Sequence, residues 1–145
     1  MSFSFSNTNP IIPIIYNVPI INPIGLIQSN NKDKAIYVIK FSSDGEYCMT
    51  GSQEKSIKLF NPFKKQLIKS YDNIHNNDIL DLSIAKDNTK FASVGLDKSV
   101  YLTDSIKCTV LRRFNGHLDR INSINFNNDE SILLSGSHDC SVRLW

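Results

Sequence analysis

The sequence predicts an all-β chain, an arc of about three four-stranded blades from a β-propeller. Three observations carry this. Three segments superpose without a gap: Ala35 to Phe60, Asp78 to Thr103 and Arg120 to Trp145, at offsets of 43 and 42 residues. Each unit holds short apolar runs cut by turn residues, four runs to a unit of about 40–45 residues, which suits a propeller blade rather than a helical solenoid. No long segment shows the 3.6-residue period of an amphipathic helix.

The elements of a unit follow in order. Ile36, Ile79 and Ile121 coincide near the start of the first run, and Phe41, Ile84 and Phe126 near its end. That run stops at a turn such as SSDG or NNDE, where Asp44, Asp87 and Asp129 coincide. Asp, Asn and Gly satisfy or permit the tight backbone there. A second run follows, read as YCMTG, FASVG and LLSGS. A two-residue turn leads to a third strand, SIKLF, SVYLT or SVRLW, whose apolar residues stand two apart. Ile57, Val100 and Val142 coincide in it, as do Leu59, Leu102 and Leu144. A fourth run lies between units, QLIKSY at 66–71 and TVLRRF at 109–114.

Length and composition agree with a globular chain. It has 145 residues, 41% hydrophobic and 21% charged, with a net charge of +2. That balance excludes wholesale disorder and rod-like repeats. It also lacks the strong basic excess of a dedicated nucleic-acid binder. Residues 1–31 carry no charge, and Ile11 to Ile27 reads IIPIIYNVPIINPIGLI. The stretch resembles a membrane segment only in hydropathy. Pro13, Pro19 and Pro23 interrupt it, and each interior Pro costs a helix about 3 kcal/mol. A basic start and a small-residue cleavage site, as in a signal peptide, are absent. An extended lead-in over residues 1–23 is expected, with the repeats over 24–145: repeat one at about 31–71, repeat two at about 74–114, and repeat three at about 116–145. Cys48, Cys108 and Cys140 are odd in number and lack CxxC spacing. This excludes a disulfide scaffold and a paired-Cys zinc site. Cys48 and Cys140 are expected as small strand residues.

The third unit carries Gly116-His117, then Ser135, Asp139 and Trp145. The second has His75, Ser93 and Asp97, with Thr103 in the Trp place. The first has Lys32, Thr50, Glu54 and Phe60. An indole N–H can only donate, a Ser hydroxyl can accept it and donate onward, and His can link that hydroxyl to a carboxylate. The set resembles the hydrogen-bonded tetrad of the WD40 family, which ties the strands of one blade together. The first blade is therefore expected to be the less firmly tied. DGEYCMTGSQEKSIKLFNPFKKQLIKSY, LDKSV and VLRRFNGHLDRINSINFNNDESILLSGSHDCSVRLW are similar to the first three repeats of the mitogen-activated protein kinase organizer group of WD-repeat scaffolds. Gly25 to Ser29 falls where that group places its ring-closing strand. The resemblance implies seven blades, so the chain is expected to be an amino-terminal part of a longer ring, with exposed apolar surface and weak stability alone.

The resemblance also implies a partner-binding ring on the narrow face, flanking a bulge in strand one and preceding the turn Asp. Carried over, the positions are Ala35, Tyr37 and Gln53, then Asp78, Leu80 and Leu96, then Arg120, Asn122 and His138. Exposed aromatic, Arg and Leu side chains there suit a protein or peptide groove.

Other chemistries are weaker. Ser135, His117 and Asp139 are residue types of a serine hydrolase, but His, Ser and Asp recur at a 42-residue offset, as a blade-tying network would. GxSxG is also missing around Ser135. His138, Asp139 and Cys140 are adjacent, so in an extended segment they point different ways and do not chelate together. Lys64-Lys65 and Arg112-Arg113 read as solvated edge charges. The expected function is a non-catalytic protein scaffold, without cofactor or metal. Its partners would be kinase-cascade members or, alternatively, components of a pre-mRNA splicing complex. Neither membrane nor direct nucleic-acid contact is expected. Self-association through open blade edges is. The expected compartment is the cytoplasm, with the nucleus as a second location.

Overall fold

The computed structural model describes residues 34–145. The leader at 1–23, the run Gly25 to Ser29 and Lys32 lie outside the described residues. Within them the chain forms eleven strands and no helix. Blade 1 holds β1 (Ile36–Phe41), β2 (Cys48–Ser52), β3 (Ile57–Asn61) and β4 (Gln66–Tyr71). Blade 2 holds β5 (Ile79–Ile84), β6 (Lys90–Gly95), β7 (Ser99–Asp104) and β8 (Val110–Asn115). Blade 3 holds β9 (Ile121–Phe126), β10 (Leu133–Ser137) and β11 (Val142–Leu144). Each sheet is an antiparallel meander in chain order. The expected fourth run at 109–114 is seen as β8, one residue later.

The turns explain why the offsets hold so strictly. Left-handed backbone recurs at equivalent places. Gly45, Asn88 and Glu130 take φ of 76°, 58° and 60° in the turn after strand one. Each of their N–H groups donates back to a carbonyl three residues earlier: Ser42, Ala85 and Asn127. Lys55, Lys98 and Cys140 take φ near 62° in the turn after strand two. Gly and Asn adopt this region cheaply; Lys, Glu and Cys are held there by the flanking ladders. Cys48 is a buried strand residue, but Cys140 is an exposed turn residue rather than a strand residue. The turn must reverse within two residues, and position 140 takes the αL corner.

The blades pack face to face. Met49, Ile57 and Tyr71 of blade 1 meet Ile79, Leu82 and Phe91 of blade 2. Ala92, Val94 and Val100 of blade 2 meet Ile121, Ile124 and Leu133 of blade 3. Burial of each large apolar side chain contributes about 1.5–3 kcal/mol. The first strands β1, β5 and β9 run beside one another along the arc.

Candidate protein-interaction face

A bulge opens strand one of every blade. Ile36 pairs with Ser52 and Val38 with Gly51, leaving Tyr37 without a partner residue. Leu80 is bypassed in the same way between Ile79 and Asp81, and Asn122 between Ile121 and Ser123. A bulge re-aims the extra side chain and increases local twist. Beside each bulge the same backbone bond recurs: Gln53 N–H to the Ala35 carbonyl, Leu96 N–H to Asp78 and His138 N–H to Arg120, at 2.9, 2.9 and 3.0 Å. The nine positions named from the sequence thus fall into three matched sets, one per blade, on one face. Tyr37, Arg120, Asn122 and His138 are exposed; Gln53, Asp78, Leu80 and Leu96 are half-buried.

Some of these side chains are already engaged. The Tyr37 hydroxyl donates to the Asp78 carboxylate at 3.4 Å across the blade 1–blade 2 boundary. His138 Nδ1 lies 3.0 Å from the Asp119 carboxylate, and both groups are about half exposed. The Arg120 N–H and then His138 hold the Asp119 carboxyl below its ordinary pKa. Lys98 Nζ donates to the Leu118 carbonyl at 2.9 Å, strapping blade 2 to blade 3 on this face.

Beneath the face lie the Ser–His–Asp sets. In blade 3, Trp145 Nε1–H donates to Ser135 Oγ at 2.8 Å. Ser135 Oγ is 2.8 Å from His117 Nε2, and His117 Nδ1 is 2.8 Å from the Asp139 carboxylate. A carboxylate can only accept, so Nδ1 carries the proton and Ser135 donates to Nε2. The Ser141 hydroxyl is the main influence holding the Asp139 carboxyl well below the usual range; the Leu118 N–H and His117 add to it against desolvation. Blade 2 repeats the links, with Ser93 to His75 and His75 to Asp97 both at 2.8 Å. Burial works to raise the Asp97 carboxyl, but His75 and the Asn76 and Ser99 N–H groups outweigh it and hold it low.

Blade 2 compensates for its missing Trp by packing. Tyr101 sets its ring edge-on to His75 at 4.5 Å, and the Arg113 guanidinium lies over Tyr101 at 5.3 Å. Phe91 packs against Tyr71 of blade 1 at 5.0 Å. Thr103 is fully buried, and its hydroxyl has no hydrogen-bond partner among the described residues. Blade 1 has no Ser–His–Asp set among the described residues. Glu54 there forms an ion pair with Lys58, while Thr50 and Phe60 are buried.

Two features escaped sequence reasoning. Asp81 bridges blades, as its carboxylate accepts from Ile124 N–H at 2.9 Å and Ser123 Oγ at 3.2 Å, and Lys40 Nζ lies 3.4 Å away. Its equivalents are Val38 and Ser123, so no shared residue type marks the position. A groove of about 430 Å³ also opens between blades 1 and 2, lined by Met49, Leu59, Ile68, Tyr71, Ile84 and Ile106 among others. The corresponding groove between blades 2 and 3, partly occupied by Trp145, holds about 170 Å³. Among the described residues no group of three His, Cys, Asp or Glu could hold a metal ion, and no helix is long and apolar enough to cross a membrane.

Comparison with known proteins decides the family. A family model described as WD domain, G-beta repeat matches residues 22–61, 65–104 and 108–145. The chain belongs to the WD-repeat family. The second and third windows each open one strand before a blade, so β4 belongs to the second repeat and β8 to the third. The WD-repeat chain is 40% identical over 117 residues to the WD repeat domain-containing protein 83 homolog of Dictyostelium discoideum, covering 80% of this chain and 35% of that protein. It thus spans about a third of that relative's length. Among solved structures it is similar to the WD40 β-propeller domain of Doa1, at 27% identity and a TM-score of 0.73, covering 82% of this chain and 38% of that one. The likeness to the structure of U3-55K has a TM-score of 0.75 at 21% identity, covers 82% of this chain and 37% of that one, and concerns the fold alone.

Proposed function

We propose that this chain is part of a non-catalytic scaffold that binds proteins through its bulge-lined face and gathers members of a mitogen-activated protein kinase cascade. The observation that carries the non-catalytic reading is the placement of Ser135. It is 1% exposed, and its hydroxyl oxygen lies between Trp145 Nε1 and His117 Nε2. A nucleophile must reach a substrate carbonyl beside oxyanion donors, and this oxygen faces the blade interior. Tyr37, Arg120, Asn122 and His138 stand exposed above it. Rigid scaffolds commonly carry recognition on such loop positions.

Support for the kinase-cascade assignment is the match of residues 25–145 to the organizer group, together with the 40% identity to the Dictyostelium relative. The compartment that goes with it is the cytoplasm. The test is a nuclease-treated pull-down with the chain as bait, followed by titration of purified kinase-cascade members. Recovery of those kinases after nuclease, with affinity lowered at least about 10-fold by Tyr37→Ala plus Arg120→Ala, supports the reading. Recovery only of ribonucleoproteins that nuclease removes transfers the assignment to a splicing complex.

A further inference from the structure

The groove between blades 1 and 2 lies at the strand ends opposite the bulged face. Strand β1 carries its bulge at Tyr37 and ends at Phe41, next to Ser42 of the groove wall. Its volume of about 430 Å³ falls within the range of about 300–1,000 Å³ typical of ligand pockets. Met49, Leu59, Tyr71 and Ile84 line it between two four-stranded sheets. Two more isoleucines of the lining are open to water, Ile68 at 46% and Ile106 at 72% exposed. Both are placed there by backbone geometry. Leu59 pairs with Lys69 and Phe60 with Leu67, so Ile68 is the extra residue of a second bulge, in β4. A bulge re-aims its side chain. Ile106 sits in the β7–β8 turn, where the Asp104 carboxylate accepts from the Ile106 and Lys107 N–H groups at 2.9 and 2.7 Å.

Blade 1 pins that turn in place. Lys69 Nζ donates to the Ser105 and Ile106 carbonyls at 3.2 and 2.8 Å, and the Tyr71 hydroxyl donates to the Ser105 carbonyl at 2.9 Å. Ile106 cannot fold down over the groove without breaking these bonds. Apolar surface held open in this way marks an interaction site. The charges of the lining are unequal. The Lys69 ammonium is engaged by the two carbonyls. The Asp44 carboxylate accepts from the Ser42 hydroxyl at 2.6 Å, the Glu46 N–H at 2.9 Å and the Asn88 carboxamide at 3.2 Å. The Ser42 hydroxyl and then the Glu46 N–H hold the Asp44 carboxyl below its ordinary pKa. No ion pair engages Asp44 among the described residues. The groove therefore sets apolar walls beside one uncompensated negative charge, and its complement is an apolar body with a cation attached.

We propose that this groove is a second peptide-binding site, which seats a bulky apolar side chain between Ile68 and Ile106 and takes a flanking Lys or Arg of the same peptide onto Asp44. Aromatic residues, Met and Arg are the types enriched at protein interfaces, and a short peptide can supply the apolar body and the cation together. The pinned turn keeps the rim open before the peptide arrives, so little ordering is lost on binding. The site is separate from the bulged face and independent of the kinase assignment.

The test selects a displayed library of random peptides on the 145-residue chain, with counter-selection on the variant Ile68→Ser plus Ile106→Ser. Far-UV circular dichroism checks that this variant keeps its β signal; if it does not, the single change Ile106→Ser replaces it. The surviving peptides are expected to share a bulky apolar residue flanked by Lys or Arg. Fluorescence anisotropy then measures one synthetic peptide from that set. Loss of the rim isoleucines is expected to weaken it at least about 10-fold. Asp44→Asn is expected to weaken it about 2–5-fold and to flatten its salt dependence. Leu118→Ser removes a side chain that is 77% exposed on the bulged face, and is expected to leave the affinity as it is. The proposal is overturned if no peptide survives counter-selection, or if the survivors are acidic or uniformly neutral. It is also overturned if Leu118→Ser weakens binding as much as the rim variant does. Rim changes that alter only the sedimentation of the chain itself would make a second copy the occupant and overturn it as well.

Discussion

The Asp81 carboxylate accepts a hydrogen bond from the Ile124 backbone N–H at 2.9 Å, joining strand β5 of blade 2 to β9 of blade 3. Both residues are buried. Asp81→Ala leaves that N–H unpaired, at an expected cost of about 1.5–3 kcal/mol. Lys40→Ala removes only a partly exposed ion pair at 3.4 Å, so its expected cost is below about 1 kcal/mol. Urea unfolding of the two variants separates these contributions; equal effects would mean that Asp81 matters only as the partner of Lys40.

Thr103 carries the opposite liability. Its buried hydroxyl lacks a partner among the described residues, and such a group costs about 1–3 kcal/mol. Thr103→Val keeps the shape and removes the hydroxyl. It is expected to stabilise the chain by about 1 kcal/mol, read as a higher urea midpoint at unchanged slope. A lower midpoint would show that the hydroxyl is satisfied in solution.

Gly95 and Gly136 should respond differently to a methyl group. A Cβ on Gly95 would sit 2.0 Å from the Asp78 carbonyl oxygen, the acceptor beside the blade 2 bulge, whereas a Cβ on Gly136 meets nothing within 4 Å. Gly95→Ala is expected to cost about 3 kcal/mol, and Gly136→Ala to stay within about 0.5 kcal/mol. Thermal melts of the pair provide the comparison. Similar melting temperatures would contradict the tight approach at Gly95.

Acid should loosen the blades in a defined window. Asp97 and Asp139 are both held below the ordinary carboxyl pKa. Below that ordinary value, about 4, the unfolded chain binds protons that the folded chain does not yet bind, so stability falls as the pH falls. Their contribution is whole at neutral pH and disappears as the pH drops through the lowered folded values. Asp139→Asn is expected to be less stable than wild type at neutral pH and to lose less stability between about pH 4 and pH 2. Parallel acid dependences in the two proteins would rule out Asp139 as a source of the effect.

The blade pattern was legible because it repeats. Offsets of 43 and 42 residues placed the strands within about a residue, and turn residues such as Asp44 and Asp87 marked where each first strand ends. The bulge itself was implied by the family resemblance, and the superposition only carried it onto Tyr37, Leu80 and Asn122, which the structure places on bulges. What did not repeat stayed hidden. Asp81 acts through a neighbouring blade, and single-residue chemistry does not announce which backbone N–H it will meet. The repacking around Thr103 was also invisible, because Phe91 and Tyr71 meet only once two sheets are stacked. The αL turn also places Cys140 between β10 and β11 rather than in a strand.

The mismatch between repeat and blade has an evolutionary consequence. Because a repeat window spans the last strand of one sheet and the first three of the next, its nominal boundaries are arbitrary. A tandem duplication of 42 or 43 residues, begun at any point inside the array, copies one full turn of the pattern. Every interior sheet keeps four strands, and every joint keeps both halves. Gain or loss of a blade therefore demands the right length of DNA but not the right breakpoint.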